Sequence, residues 1–236
     1  MIVALIGNGI VHGKEHMSVI VIIADISNQI RRMNLMNIDM KTIFKNAEAG
    51  NVDAMLVLAD AYNSGKYNLE KDDSSSFVYY KKAADTGHSM GEFHVALRYQ
   101  DGTGTKKNTK LAIEYMRSSA EKGFANAQYF MGLYYKDNII KGFGREKKAF
   151  KYFLKAAEQG VADAQEILGD IYFLGEGVAK DLDNSVFWLS CAFLQGKEGA
   201  QRRLEHLIEQ NIPGGRPYIV DMIEDVKKNY KHYINK

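Results

Sequence analysis

The chain has 236 residues, 31 Lys and Arg against 29 Asp and Glu, and a net charge of +2. Such a balance gives no global pointer to nucleic acid or anionic lipid, and a single cysteine, Cys191, rules out an internal disulfide framework. Only two prolines occur, Pro213 and Pro217, so most of the chain is free to form uninterrupted helices over a continuous core.

The first 38 residues stand apart from the rest. Residues 1–6 and 18–23 are apolar runs too short to span a bilayer. No basic residue precedes the first run, as a secretory signal would require. The run Gly7-Asn-Gly9-Ile-Val-His-Gly13 has the glycine density of a phosphate-cradling turn, but its last glycine falls one residue late and no βαβ unit follows. His12, Glu15 and His16 have no third ligand for a metal. The segment is read as an undefined N-terminal region, with Met33, Met36 and Met40 as alternative translation starts.

From residue 39 onward a period governs the sequence. Gly50, Gly87, Gly123, Gly160 and Gly196 recur every 36 or 37 residues. Counting forward from each glycine, the fourth residue is small: Ala54, Gly91, Ala127, Ala164 and Ala200. The eighth is apolar as Leu58, Val95, Met131, Leu168 and Leu204, the ninth is Ala59, Ala96, Gly132 and Gly169, and the twelfth is Tyr62, Tyr99, Tyr135 and Tyr172. These offsets share one side of a helix, so each unit opens with an amphipathic helix. Counting back from the next glycine, a large aromatic stands eight before it (Tyr79, Tyr115, Tyr152, Trp188), and a small residue eleven before it (Ser76, Ala112, Ala149, Ser185), on a second helix. The glycine closes that helix in a left-handed cap. The loops inside the second and fourth units carry paired glycines, Gly102 with Gly104 and Gly175 with Gly177; those of the first and third units depart from this.

Four helix–loop–helix units are therefore expected at 51–87, 88–123, 124–160 and 161–196. Residues 39–50 carry only a second half, with Ile43, Phe44 and Ala47 in place. Residues 197–236 carry a first half, then a helical stripe of Ile219, Met222, Ile223, Val226, Tyr230 and Tyr233, read as a cap over the fifth-unit helix. A fixed period of this length is the mark of a solenoid.

The runs Ala127-Gln-Tyr-Phe-Met-Gly132-Leu-Tyr, Ala164-Gln-Glu-Ile-Leu-Gly169-Asp-Ile-Tyr172 and Ala156-Ala157-Glu-Gln-Gly160 resemble those of Sel1-like repeats, relatives of the tetratricopeptide solenoids, over about residues 39–210. The resemblance implies an all-α, right-handed α/α superhelix with a scaffold or adaptor role, first helices lining the concave surface, and no cofactor. Some cysteine-rich relatives bind or hydrolyse β-lactams, but the paired cysteines they carry in each unit are absent here. No catalytic constellation is read in the array, and the chain is expected not to be an enzyme. Some relatives neutralise bacterial toxins, which makes an immunity role the alternative within the binding class.

Offsets three, six, ten and thirteen lie opposite the repeated stripe, and there the units differ. With the family's geometry these positions face the groove. Phe93, Leu97, Tyr129 and Leu133 would form an apolar centre, flanked by Glu166, Asp170 and Phe173, for a protein or peptide partner. A second surface is basic: Lys136, Lys141, Arg145, Lys147, Lys148, Lys151 and Lys155, with Lys106, Lys107 and Lys110 in the preceding unit, suit either an acidic partner or plain solvation. One thiol fits a reducing cytosol, with a periplasmic or secreted location as the alternative.

Overall fold

The computed structural model describes residues 40–209 and 215–233; the readings on residues 1–38 lie outside them. Among the described residues there are eleven helices and no strand. Helix α1 (Met40–Glu48) precedes four antiparallel pairs: α2 (Val52–Ser64) with α3 (Asp73–Asp85), α4 (Ser89–Asp101) with α5 (Thr109–Glu121), α6 (Ala125–Lys136) with α7 (Arg145–Glu158), and α8 (Ala162–Leu174) with α9 (Leu182–Leu194). Helices α10 (Glu198–Glu209) and α11 (Gly215–Tyr233) complete an all-α solenoid. Packing is between chain neighbours, with α11 on α9 as the main exception.

The period has a local cause. Each closing glycine has φ between 84° and 92°, a region costing an L side chain roughly 1–2 kcal/mol. Beyond it the next amide reaches back five residues, as in Phe124 N to Ser119 O at 3.2 Å and Val161 N to Ala156 O at 3.1 Å. This is a Schellman stop, and it turns the chain into the next first helix at the same place in every unit. Second helices begin on side-chain caps in three units: Asp72 accepts from Ser74 N and Ser75 N, Asn108 from Leu111 N, and Asp181 from Asn184 N. The third unit starts its second helix on Gly144, without a side-chain cap. The first and third loops indeed follow other paths, with Tyr67, Asn68 and Asn138 as the non-glycine residues of positive φ.

The repeated stripe is the core. Leu58, Val95, Met131 and Leu168 are fully buried. So are the residues seven before each closing glycine, Tyr80, Met116, Phe153 and Leu189, all at most 1% exposed. The small residues permit close helix approach: a Cβ on Gly132 would stand 2.6 Å from the Phe153 ring, and one on Gly169 would stand 2.6 Å from Leu189 Cγ. The offset-twelve tyrosines stack on the aromatics of the second helices. Tyr62 on Tyr79, Tyr99 on Tyr115 and Tyr135 on Tyr152 have centroids 5.9, 5.9 and 5.8 Å apart and nearly parallel planes.

Both half-units fold as such. Helix α1 buries Ile43 and Ala47 and sets Phe44 against Tyr62 and Tyr79, while α10 buries Ala200, Leu204 and Leu207. The last helix differs from the expected cap over α10. It packs chiefly on α9, with Val226 in the cluster that holds Trp188 and Cys191. Tyr218 Oη donates to Asp183 Oδ1 at 2.6 Å near the start of α9, and Tyr230 meets Gln165 of α8, which accepts from Gln195 just past the end of α9, so α11 runs parallel to α9. Apolar groups on α11 match the uncovered side of α9, and the sequence stripe alone does not distinguish the two neighbours.

Candidate partner-binding face

The variable face of the first helices is partly sealed by the stacking that forms it. Phe93 is 7% exposed, wedged against Phe124 and Phe130 with centroids 5.2 and 5.6 Å away. This corrects its expected place as a groove anchor: the following first helix covers it. Leu97, Tyr129 and Leu133 pack against the same cluster but keep part of their surface in solvent. The Tyr129 ring lies edge-on to Phe130 at 5.6 Å and tilted to Phe153 at 6.1 Å. Burial, with Asp163, Asp137 and Glu166 nearby, pushes its hydroxyl pKa up, so the tyrosine presents a neutral phenol. Rings connect from Tyr80 through His94, Phe93 and Phe130 to Tyr129 and Phe153, joining three units.

The acidic flank is also engaged by the next helix. Asp170 accepts from Arg203 Nε at 2.9 Å and Nη2 at 3.3 Å, and Asp163 pairs with Lys197. Glu166 lies against Gly199, where an added Cβ would meet its Oε1 at 1.8 Å. The acids of α8 are thus turned toward α10 rather than left as a free charged rim, because a fifth first helix with Lys197 and Arg203 stacks on them. Phe173 is 37% exposed at the end of α8, beside Leu174, which is 51% exposed.

Sequence reading missed a buried polar chain at offset five. Gln128 and Gln165, 5% and 0% exposed, donate to Ala120 O and Ala157 O at the end of the preceding unit. They accept in turn from Gln159 Nε2 at 2.7 Å and Gln195 Nε2 at 2.8 Å, each one residue before a closing glycine. In the second unit the pair is Glu92 and Lys122, Nζ to Oε1 at 2.6 Å. Recurrence of Glu92, Gln128 and Gln165 at one offset was the available signal; the first unit breaks it with Met55.

The basic residues Lys136, Lys141, Lys147, Lys148, Lys151 and Lys155 are exposed, and Arg145 is half-buried. Among them stands Phe143, fully exposed at the tip of the third loop. Among the described residues no set of catalytic geometry emerges. Burial pushes the Cys191 thiol up to about 12, far from a reactive thiolate. A Ser-x-x-Lys spacing does occur at Ser119 and Lys122, but Ser119 Oγ is spent on Ser89 O at 2.7 Å and Lys122 Nζ on Gly87 O and Glu92. Among the described residues no group of three or more His, Cys, Asp or Glu could hold a metal, and no helix is long and apolar enough to cross a membrane.

Each helix pair begins on the first residue, and ends three residues before the last, of one of four matches to the Sel1 repeat family model, at residues 52–88, 89–124, 125–161 and 162–197. The chain belongs to the Sel1 repeat family. The array is similar in structure to c5321, a protective antigen of uropathogenic Escherichia coli with an SLR fold, at TM-score 0.68 and 28% identity over 74% of this chain and 37% of that one. It is also similar to a Sel1 repeat protein from Oxalobacter formigenes, at TM-score 0.64 and 25% identity over 81% and 85% of the two chains. Among curated proteins, it is 28% identical to the chitin synthase regulator SKT5 of Saccharomyces cerevisiae over 36% of this chain and 12% of that protein. It is 29% identical to DAP3-binding cell death enhancer 1 of Rattus norvegicus over 67% of this chain and 38% of that protein. The Sel1 array thus spans well under half the length of these curated relatives.

Proposed function

We propose that this Sel1 array is a non-catalytic scaffold that holds a segment of another protein along the face of its first helices. The observation that carries the reading is the contrast between two faces of the same helices. The stripe at offsets four, eight and nine is nearly invariant between units and buried, whereas the opposite face changes from unit to unit. On that face Leu97, Tyr129 and Leu133 leave part of their apolar surface open at the centre, with Phe173 further along. A few such groups carry most of the affinity in a protein interface. The roles named for two relatives, regulation of chitin synthase and binding of DAP3, both act through another protein and favour the same class.

The experiment is affinity capture from the native cell with the wild type beside Leu97→Ala/Tyr129→Ala, with the helical content and melting of both checked. Loss of one defined protein by a variant that melts within a few degrees of wild type is the expected result. A partner retained equally by both, or no partner lost, refutes the face.

A further inference from the structure

Offset eleven of the first helices reads Arg98, Tyr134, Ile171 and Leu207 in successive stacked helices, and this position decides whether the cleft between units is filled. Each cleft lies between the end of a first helix, the start of its second helix and the next first helix. Between units one and two, Arg98 closes it. The guanidinium lies 5.7 Å from the Tyr80 ring centroid, donates to Asn63 Oδ1 at 2.7 Å, and stands 3.7 Å from Asp73 Oδ1. Between units two and three, Tyr134 closes it: the ring is 3% exposed and its hydroxyl donates to Gln100 Oε1.

Between units three and four the residue is Ile171, which is too short. A cavity of about 370 Å³ remains there. Its floor is Ala149, Phe153 and Ile171, each at most 4% exposed. Its mouth carries Lys136 and Arg145 on one hand and Glu146 and Glu176 on the other. Arg145 is held at the rim by Tyr135 O at 3.5 Å. Leu207 leaves a smaller cavity, about 170 Å³, at the following junction.

We propose that the cleft between the third and fourth units is a socket for a tyrosine side chain presented by a bound protein segment. The neighbouring cleft shows the occupant. At equivalent positions it carries Tyr99, stacked on Tyr115, where Tyr135, stacked on Tyr152, lines this cleft, and an alanine, Ala112, where the floor here has Ala149. It holds a phenol whose hydroxyl meets offset thirteen. In the open cleft offset thirteen is Lys136, which donates to a phenol oxygen, while Glu146 accepts from its O–H. An arginine suits it less than it suits the Arg98 cleft, which offers Asn63, Ser76 and Asp73 as acceptors: here it would meet Lys136 and Arg145 beside Glu146 and Glu176.

This socket rests on the scaffold reading, and its test separates the two. N-acetyl-L-tyrosinamide is titrated into the full chain with isoleucine methyls labelled for NMR. A fragment of this size binds at about millimolar Kd. The expected result is a saturable shift at Ile171, at least fivefold weaker with N-acetyl-L-phenylalaninamide. Two plugs from different helices, Ile171→Tyr and Ala149→Met, each weaken binding at least tenfold, read from broadening of the ligand's own resonances in the first variant and from the Ile171 methyls in the second. The first variant copies the Tyr134 cleft and keeps the melting temperature. No shift at Ile171, or unchanged affinity in both plugged variants, overturns the socket and leaves the Leu97 and Tyr129 face as it was. A saturable shift at Ile171 while the Leu97→Ala/Tyr129→Ala variant retains every partner supports the socket and counts against that face.

Discussion

Gly132→Ala tests how close packing of the two helices in a unit is balanced against helix propensity. In an exposed helix this change stabilises by about 1 kcal/mol. Here the new Cβ would stand 2.6, 2.7 and 2.9 Å from three carbons of the Phe153 ring. The ring is fully buried and braced by Tyr129, so it has little room to yield. Overpacking of a core costs about 1–3 kcal/mol, and three such contacts belong in the upper half of that range. The net expectation is a loss of about 1–2 kcal/mol, or about 2–8 °C in melting temperature for an array of this size. The second unit contains the remedy, since it pairs Ala96 with Met116 at the equivalent positions. In a Phe153→Met background the alanine should therefore cost nothing, giving a coupling of about 1–2 kcal/mol in a double-mutant cycle followed by circular dichroism in urea. A Gly132→Ala single variant that melts at or above wild type would refute the reasoning, because propensity would then outweigh the ring contact.

Lys122→Gln leaves the buried Glu92 carboxylate with Ser118 as its remaining side-chain donor, at 2.9 Å, and should cost about 1–3 kcal/mol, discounted for the partial exposure of Lys122. The double variant Glu92→Gln/Lys122→Gln copies the amide pairs of the third and fourth units and should return to within about 1 kcal/mol of wild type, read from urea midpoints. His94, stacked on Tyr80 at 4.3 Å, has its pKa lowered by burial and by Arg98, against an opposing pull from Asp60. The unfolded chain therefore takes up a proton, from about pH 6.5 downward, that the folded chain refuses. Stability should fall as pH drops from 6.5 toward 5. Melting curves of His94→Gln over that range should be flatter than those of wild type; equal slopes would rule out His94 as the cause.

The repeat frame was legible because its causes are local. A positive-φ glycine, small residues at fixed offsets and a buried aromatic each leave a mark at one position, and four copies multiply it. The face was less legible because the geometry carried over from the family does not say how far one first helix overlaps the next. Phe93 and Tyr129 occupy equivalent offsets, yet Phe124 and Phe130 cover the first, whereas the smaller Val161 and Ile167 stand at the corresponding positions of the next unit and the second is half open. The acidic flank was misjudged for the same reason: its partners, Lys197 and Arg203, lie 34 and 33 residues away on a helix counted only as an end piece. Offset eleven could have been read from the sequence as a series, since Arg, Tyr, Ile and Leu differ in reach, but only the clefts give that difference a meaning.

The amide chain at offset five also gives the stack a direction. It ties the second unit to the third and the third to the fourth, through Ala120 O and Ala157 O. It does not continue toward the start, where Glu92 has no amide to give and Met55 nothing polar at all. The apolar core also thins toward the start, into two small clusters, one around Ile43 and one joining Tyr80 to Val95, beside one large cluster from Phe93 to Val226 and a further one around Leu204 at the far end. In a one-dimensional stack, opening begins where the nearest-neighbour terms are weakest. The protein should therefore unzip from its first unit, leaving units two to four standing as a block that still holds both the apolar face and the tyrosine cleft.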